Sequence, residues 1–389
     1  MTEAAHDASL VRLQRRALAA GVIAIALCAL GALWSPTAFF QAYLAGFLFW
    51  LGIPLGCLVI VMLHHLSGGA WGIVVRRVAE AAAATLPMLA LLFVPIALGA
   101  RALFVWARPE AVAADPLLQE KHVYLNVPFF LARALVYFVA WSAVARLLDR
   151  WSRERDVSPD ADPRRFRLAA GPGLVVYGLT VTFAAIDWGM SIDPHWYSTV
   201  YPPMFGVGQV VSGFAFVITV AILLGDREPF GRLLHPANLI DLGNLLLTFV
   251  LLWAYLSFAQ FLLIWAANIR EEVTWYVARE QPGWLGVALV LIALHFALPF
   301  ALLLQRAVKR NRTALATVAV LLLVMRLVDN FWLVAPDIPD AHGFHWLWIA
   351  TPLALGGLWV AAFVGQLRGR PLVPANDPLV ERAMVAHGH

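Results

Sequence analysis

The chain has 389 residues, 61% of them hydrophobic, a mean hydropathy of +0.76 and a net charge of +4. So apolar a composition excludes a soluble globular protein of this length, and basic residues scattered over short loops between apolar runs argue against a nucleic-acid binder. Cys28 and Cys57 both lie inside apolar runs, which leaves no disulfide framework and no multi-cysteine metal spacing.

A hydrocarbon core of about 30 Å requires roughly 20 apolar helical residues. Ten runs meet that length, at 17–34, 41–63, 82–106, 127–148, 168–187, 204–224, 242–266, 284–304, 313–334 and 346–367, and they predict an all-α polytopic membrane protein with ten transmembrane helices. The first run follows Arg12, Arg15 and Arg16 as a signal peptide would, but it lacks a good small-residue cleavage pattern and many spans follow, so it is read as a helix. Residues 1–16 are then an N-terminal segment, 17–367 the membrane domain and 368–389 a C-terminal tail. Between the second and third runs, Ser67-Gly68-Gly69 opens an amphipathic stretch reaching Glu80, expected to lie in the interface.

Orientation follows from the alternation of charge. Arg12, Arg15, Arg16, Arg76, Arg77, the seven arginines of 146–167, Arg227, Arg232, Arg306, Lys309, Arg310, Arg312, Arg368, Arg370 and Arg382 all fall on one side. The intervening loops hold only Arg101, Arg108, Lys121, Arg270 and Arg279. The positive-inside rule therefore puts both termini in the cytoplasm and turns three loops outward: 184–203, 268–280 and 334–345. These loops are rich in carboxylates and aromatic rings. Asp193, His195, Trp196, Tyr197, Glu271, Glu272, Trp275 and Tyr276 are expected to face a partner, because such clusters more often dock than stand free.

An ionisable group inside a span costs about 2.5–3.5 kcal/mol to insert, so each one is a functional candidate. His64, His65, Glu80 and Asp241 cluster near the cytoplasmic end. His295 is in the middle of the eighth run, Arg326 and Asp329 lie about 20–24 Å up the ninth at a spacing that lets them neutralise each other, and Asp187 ends the fifth. Together they suggest a broken proton path, in which Arg326 can only tune groups that change protonation. Arg133 lies in the outer part of the fourth run. Tyr255 and Gln260 in the seventh are suited to bonding across helices, with packing as the ordinary alternative. A b-type haem needs two histidines at matching depth on facing helices, and that pattern is missing, so no redox metal or haem is expected on this chain.

Ile186-Asp187-Trp188-Gly189-Met190-Ser191-Ile192-Asp193-Pro194-His195-Trp196-Tyr197-Ser198-Thr199, the run Phe258 to Asn268 with Glu271, Glu272, Trp275 and Tyr276, and Leu63-His64-His65-Leu66-Ser67-Gly68-Gly69 together resemble the F subunits (ActF) of bacterial alternative complex III, within the NrfD/polysulfide-reductase membrane-subunit superfamily. The resemblance covers nearly the whole chain. It implies helices 2–5 and 6–9 as two four-helix bundles with helices 1 and 10 peripheral, in a quinol:cytochrome c oxidoreductase of the bacterial cytoplasmic membrane. It also implies periplasmic partner subunits bearing iron–sulfur clusters and haem c, and a paralogous NrfD-like membrane subunit that is the better candidate for quinol oxidation; quinol is a possible ligand of this chain too, with no particular residue assigned to it. Two other classes compete: a secondary transporter, against which Pro54, Pro87, Pro95, Pro299 and Pro352 fall at unmatched positions of the two halves, and a purely structural membrane anchor.

The charge alternation makes a direct prediction. A Ser158→Cys variant should escape membrane-impermeant maleimides in intact cells and react after permeabilisation; labelling in intact cells would reverse the assigned orientation.

Overall fold

The computed structural model describes residues 3–158, 164–281, 283–338, 345–368, 370–377 and 379–384. Every regular element among them is a helix. Ten are long and apolar enough to cross a membrane: Ala8–Trp34, Pro36–Ser67, Ala70–Leu98, Val127–Val157, Arg164–Ile192, Tyr201–Leu223, Pro236–Ala267, Trp284–Leu304, Arg312–Asp337 and Leu347–Arg368. The chain is an integral, multi-pass membrane protein. Part of the 334–345 loop, residues 339–344, lies outside the described residues.

Local chemistry sets the helix ends. Proline opens the second, fourth, sixth and seventh spans, where a missing N–H costs nothing. Asn126 and Asn311 cap the fourth and ninth by accepting from the N–H groups of Phe129 and Ala314, each at 3.0 Å. Asn268 closes the seventh span in the left-handed region at φ 47°.

The second span is the hub. It is 89% buried where the first is 17% buried, and it packs against the third, fifth, sixth, ninth and tenth. Between apolar helices in lipid there is no hydrophobic drive to associate, so close backbone approach must supply the contact. Gly52 and Gly56, at the small-x-x-x-small spacing, meet Gln209 and Gly213 of the sixth span; a Cβ at Gly213 would lie 2.6 Å from the carbonyl carbon of Gly56. The first and tenth spans meet in the same way at Gly21 and Gly357. Cys28 and Cys57 are buried free thiols.

Two spans depart from the sequence reading. The stretch expected to lie in the interface is instead the first half of the third span: Ala70–Ala83 is buried from Gly72 onward, and the span continues as Leu86–Leu92 and Val94–Leu98, with breaks around Thr85 and Phe93 ahead of Pro87 and Pro95. Its amphipathic charges pack inward because other elements bring the counter-charges. In the eighth span, Leu291–Ala297 is π-helical, a widened turn that hydrophobic periodicity does not signal.

Gly213→Val should destabilise the detergent-solubilised protein by at least about 2 kcal/mol, since overpacking here pushes backbone against backbone. Gly178→Ala, where an added Cβ meets nothing within 4 Å, is the control and should leave thermal unfolding nearly unchanged.

Candidate functional site

The ionisable groups gather into three buried clusters and one surface platform. At the end that carries the termini, Glu80 accepts from Ser152 Oγ at 2.7 Å and from Arg77 Nη1 at 3.0 Å. Arg77 also donates to Ser152 at 2.8 Å and pairs with Asp156 of the fourth span. Arg76 reaches Asp377 of the C-terminal segment at 2.6 Å, and Arg370 pairs with Asp149 while lying 3.8 Å from Glu80. Burial alone would raise the Asp377 carboxyl, but Arg76, the N–H of Leu379 and Arg155 outweigh it and hold it below the usual carboxylate range. The network straps the C-terminal segment across the third and fourth spans. Glu80 is thus occupied on both oxygens. Asp241, expected among the buried groups, is exposed at the start of the seventh span.

His64 and His65 close the second span beside this network. His64 is 3% exposed, with its ring seated against Gly72, where any Cβ would occupy the same space. His65 stacks on Phe166 with centroids 4.6 Å apart. The two rings point in different directions, and among the described residues no group of three or more His, Cys, Asp or Glu is arranged to hold a metal ion.

The middle cluster is formed by the seventh, eighth and ninth spans. His295 lies in the π-helical turn, fully buried, its ring centroid 4.0 Å from that of Trp253. Neither ring nitrogen has a hydrogen-bond partner. Arg326 pairs with Asp329 one turn away, as their spacing predicts, and the Asn330 amide donates to the Arg326 carbonyl at 2.7 Å. The guanidinium fits because Gly208 of the sixth span leaves room for it. His295 is thus a buried imidazole with both nitrogens free, near the Arg326 guanidinium, whose own partner Asp329 lies one turn along the ninth span.

At the opposite end, Asp187 is fully buried and its acceptors are filled. Arg133 grips it with two hydrogen bonds, Nε to Oδ2 at 2.9 Å and Nη2 to Oδ1 at 2.8 Å, and the Tyr137 hydroxyl donates at 2.8 Å. Arg133 also donates to the Tyr124 carbonyl at 2.9 Å and lies 3.8 Å from the centre of that ring. Asp187 is therefore held in a closed ion pair with Arg133. The eight proton-path candidates are divided among separate places: His64, His65 and Glu80 near one end, His295, Arg326 and Asp329 in the middle, Asp187 at the opposite end, and Asp241 exposed on its own helix.

The platform unites the 190–200 loop, the helix Arg270–Arg279 and the end of the ninth span. Arg279 makes two hydrogen bonds to Asp337, at 2.9 and 2.7 Å, and three to the carbonyls of Trp275, Trp332 and Leu333. Its guanidinium covers the Trp275 ring at 3.4 Å. Trp196 stacks on the other side of this assembly, 5.1 Å from Trp275, and donates to the Glu272 carbonyl at 3.1 Å. Trp196 and Trp275, expected to face a partner, are thus 3% and 1% exposed and bind the loops to each other instead. His195, Tyr197 and Glu271 stand exposed on the platform, while Asp193, Glu272 and Tyr276 are half-buried. His195 points to Asp115 at 2.8 Å. Gln260 bonds across to Ser198 at 3.3 Å, whereas Tyr255 is exposed on the flank of the bundle.

In the sequence Arg133 and Asp187 lie in separate apolar runs and Arg279 and Asp337 in separate loops, with nothing to pair them. No sequence separation links Arg133 to Asp187; only the packing of the fourth span on the fifth does. In comparisons with known proteins, no family model matches the chain and no curated protein is significantly similar to it.

Removing one member of a buried pair strands the other. Arg133→Leu should cost about 3–5 kcal/mol, and Arg133→Leu combined with Asp187→Leu should recover a substantial part of it, both read from thermal unfolding in detergent. Equal losses in the single and double variants would mean that the pair is not coupled.

Proposed function

We propose that this chain is an F-type membrane subunit of an alternative complex III, a quinol:cytochrome c oxidoreductase of the bacterial cytoplasmic membrane. Its termini are cytoplasmic, helices 2–5 and 6–9 form its two bundles, and its opposite face anchors periplasmic iron–sulfur and haem c subunits beside a paralogous NrfD-like membrane subunit. Quinol is the electron donor of the assembly. The motifs around 186–199, 258–276 and 63–69 support the family; the platform is the observation that carries the anchoring role. A docking face must hold its shape before the partner arrives, or ordering it would consume binding energy. Arg279, Asp337, Trp196 and Trp275 supply that rigidity from within the chain, leaving His195, Tyr197 and Glu271 outward.

The middle cluster supports a proton path as the second contribution. His295 and Asp329 are groups that can change protonation, and Arg326 fixes the local charge. A purely structural reading is favoured at Asp187 and Glu80, which are fully engaged by arginine, tyrosine and serine.

Purification from native membranes in mild detergent tests the assignment. The expected result is co-purification of iron–sulfur and c-type cytochrome subunits with a second polytopic chain, and their loss on combining Glu271→Lys with Glu272→Lys while the chain itself stays folded. Recovery of the chain alone, or with cytoplasmic proteins only, would overturn it. Within the assembled complex, Asp329→Asn and His295→Ala should lower the proton-to-electron ratio of quinol-driven translocation in liposomes; an unchanged ratio and turnover would leave the cluster structural.

A further inference from the structure

At the end that carries the termini, a cavity of about 270 Å³ opens among the second, third, fourth and fifth spans and the C-terminal segment. Its walls include His64, His65, Arg76, Arg155, Arg167 and Asp377. Three guanidinium groups face one carboxylate of the lining, Asp377, which is already divided between Arg76 at 2.6 Å and Arg155 at 3.6 Å; Glu80, outside the lining, lies 3.7 Å from Arg76 Nε and is itself shared with Arg77 and Arg370. Arg167 is exposed at the rim and has no ion pair among the described residues.

The donors are also in excess. Arg76 Nε, Arg155 Nε and His65 Nε2 are buried without a hydrogen-bond partner, although a buried donor left unmade costs about 1–3 kcal/mol. His64, 3% exposed, lines the same space. A cavity with surplus positive charge and unpaired donors is built for an anion with several acceptor oxygens. Its volume suits a phosphate with a small polar substituent. Its position, at the margin of four spans, is the depth at which lipid headgroups lie, and basic pockets between membrane helices bind such headgroups. Leu66 and Leu168, exposed nearby, are 42% and 76% accessible and offer apolar surface along which acyl chains can run.

We propose that this cavity binds a phosphate group, carried by an anionic glycerophospholipid or present as the free ion, with Arg76, Arg155 and Arg167 as its charge partners and His65 as a further donor. The site is independent of the redox assignment: it stands or falls on the full-length chain alone. The bound headgroup would complete the charge balance around Asp377 and so tie the C-terminal segment to the ends of the second, fourth and fifth spans.

The test uses the full-length protein in mild detergent, with native mass spectrometry and thermal unfolding as readouts and phosphatidylglycerol, phosphatidylcholine of the same chains, and sodium phosphate as probes. The expected result is preferential retention of phosphatidylglycerol over phosphatidylcholine. Arg167→Gln should weaken it about fivefold, as the loss of one near-surface cation predicts, while Arg167→Lys retains binding. Arg310→Gln, an exposed cation elsewhere at the same end, should change nothing. Stabilisation by phosphate with no preference among lipids would assign the site to the free ion; preference for phosphatidylglycerol without a phosphate effect would assign it to lipid. Equal retention of both lipids with no phosphate effect would overturn the proposal. So would wild-type affinity in Arg167→Gln. Should that variant fail to fold, the wild-type lipid preference and the Arg167→Lys variant decide the matter.

Discussion

A charge inside a bundle that crosses hydrocarbon must find its counter-charge within the chain. That constraint organises this protein more than any apolar contact, because lipid tails are as good a neighbour for leucine as another leucine is. Arg133 and Asp187 close the fourth span on the fifth, Arg326 and Asp329 neutralise the core of the ninth, and Arg279 and Asp337 fasten the 270–279 helix to the end of the ninth. Each pair joins elements or fixes a buried surface that hydrophobicity alone would leave free to slide.

The glycine contacts act in concert with these pairs. Where Gly56 and Gly213 let the second and sixth spans touch backbone to backbone, the flanking side chains are drawn to set distances, and Gly208 leaves space in the same region for the Arg326 guanidinium. Close approach therefore does two things: it supplies dispersion contact, and it shapes the room in which a buried cation can sit. The π-helical turn of the eighth span adds a third adjustment, carrying the unpartnered imidazole of His295 to the pair from a neighbouring helix.

The two ends of the bundle differ in how they treat charge. At the end bearing the termini, arginines outnumber the carboxylates around the cavity, and the surplus is left as donors without partners. At the other end, Arg279 is saturated by five hydrogen bonds and the exposed groups are mainly acidic or aromatic. The first arrangement suits an anionic ligand at a headgroup surface. The second suits a rigid face for a macromolecular partner.

The sequence by itself determined the class of fold. Ten apolar runs of sufficient length admit only helices in lipid, since each helix satisfies its own backbone, and the alternation of arginines orders the loops into two sets. It also determined the Arg326 and Asp329 pair, because residues three apart on one helix are neighbours wherever the helix packs. Only the tertiary structure decided the rest. Arg76, Arg77 and Glu80 read as an interfacial face until Asp149, Ser152, Asp156, Arg370 and Asp377 arrive from two distant segments and allow them to be buried. Trp196 and Trp275 read as partner-facing until they stack on each other, and Asp187 reads as an open carboxylate until Arg133 fills it. The physical reason is the same each time: whether a polar or aromatic side chain is exposed, paired or free depends on groups dozens to hundreds of residues away, which no local pattern encodes.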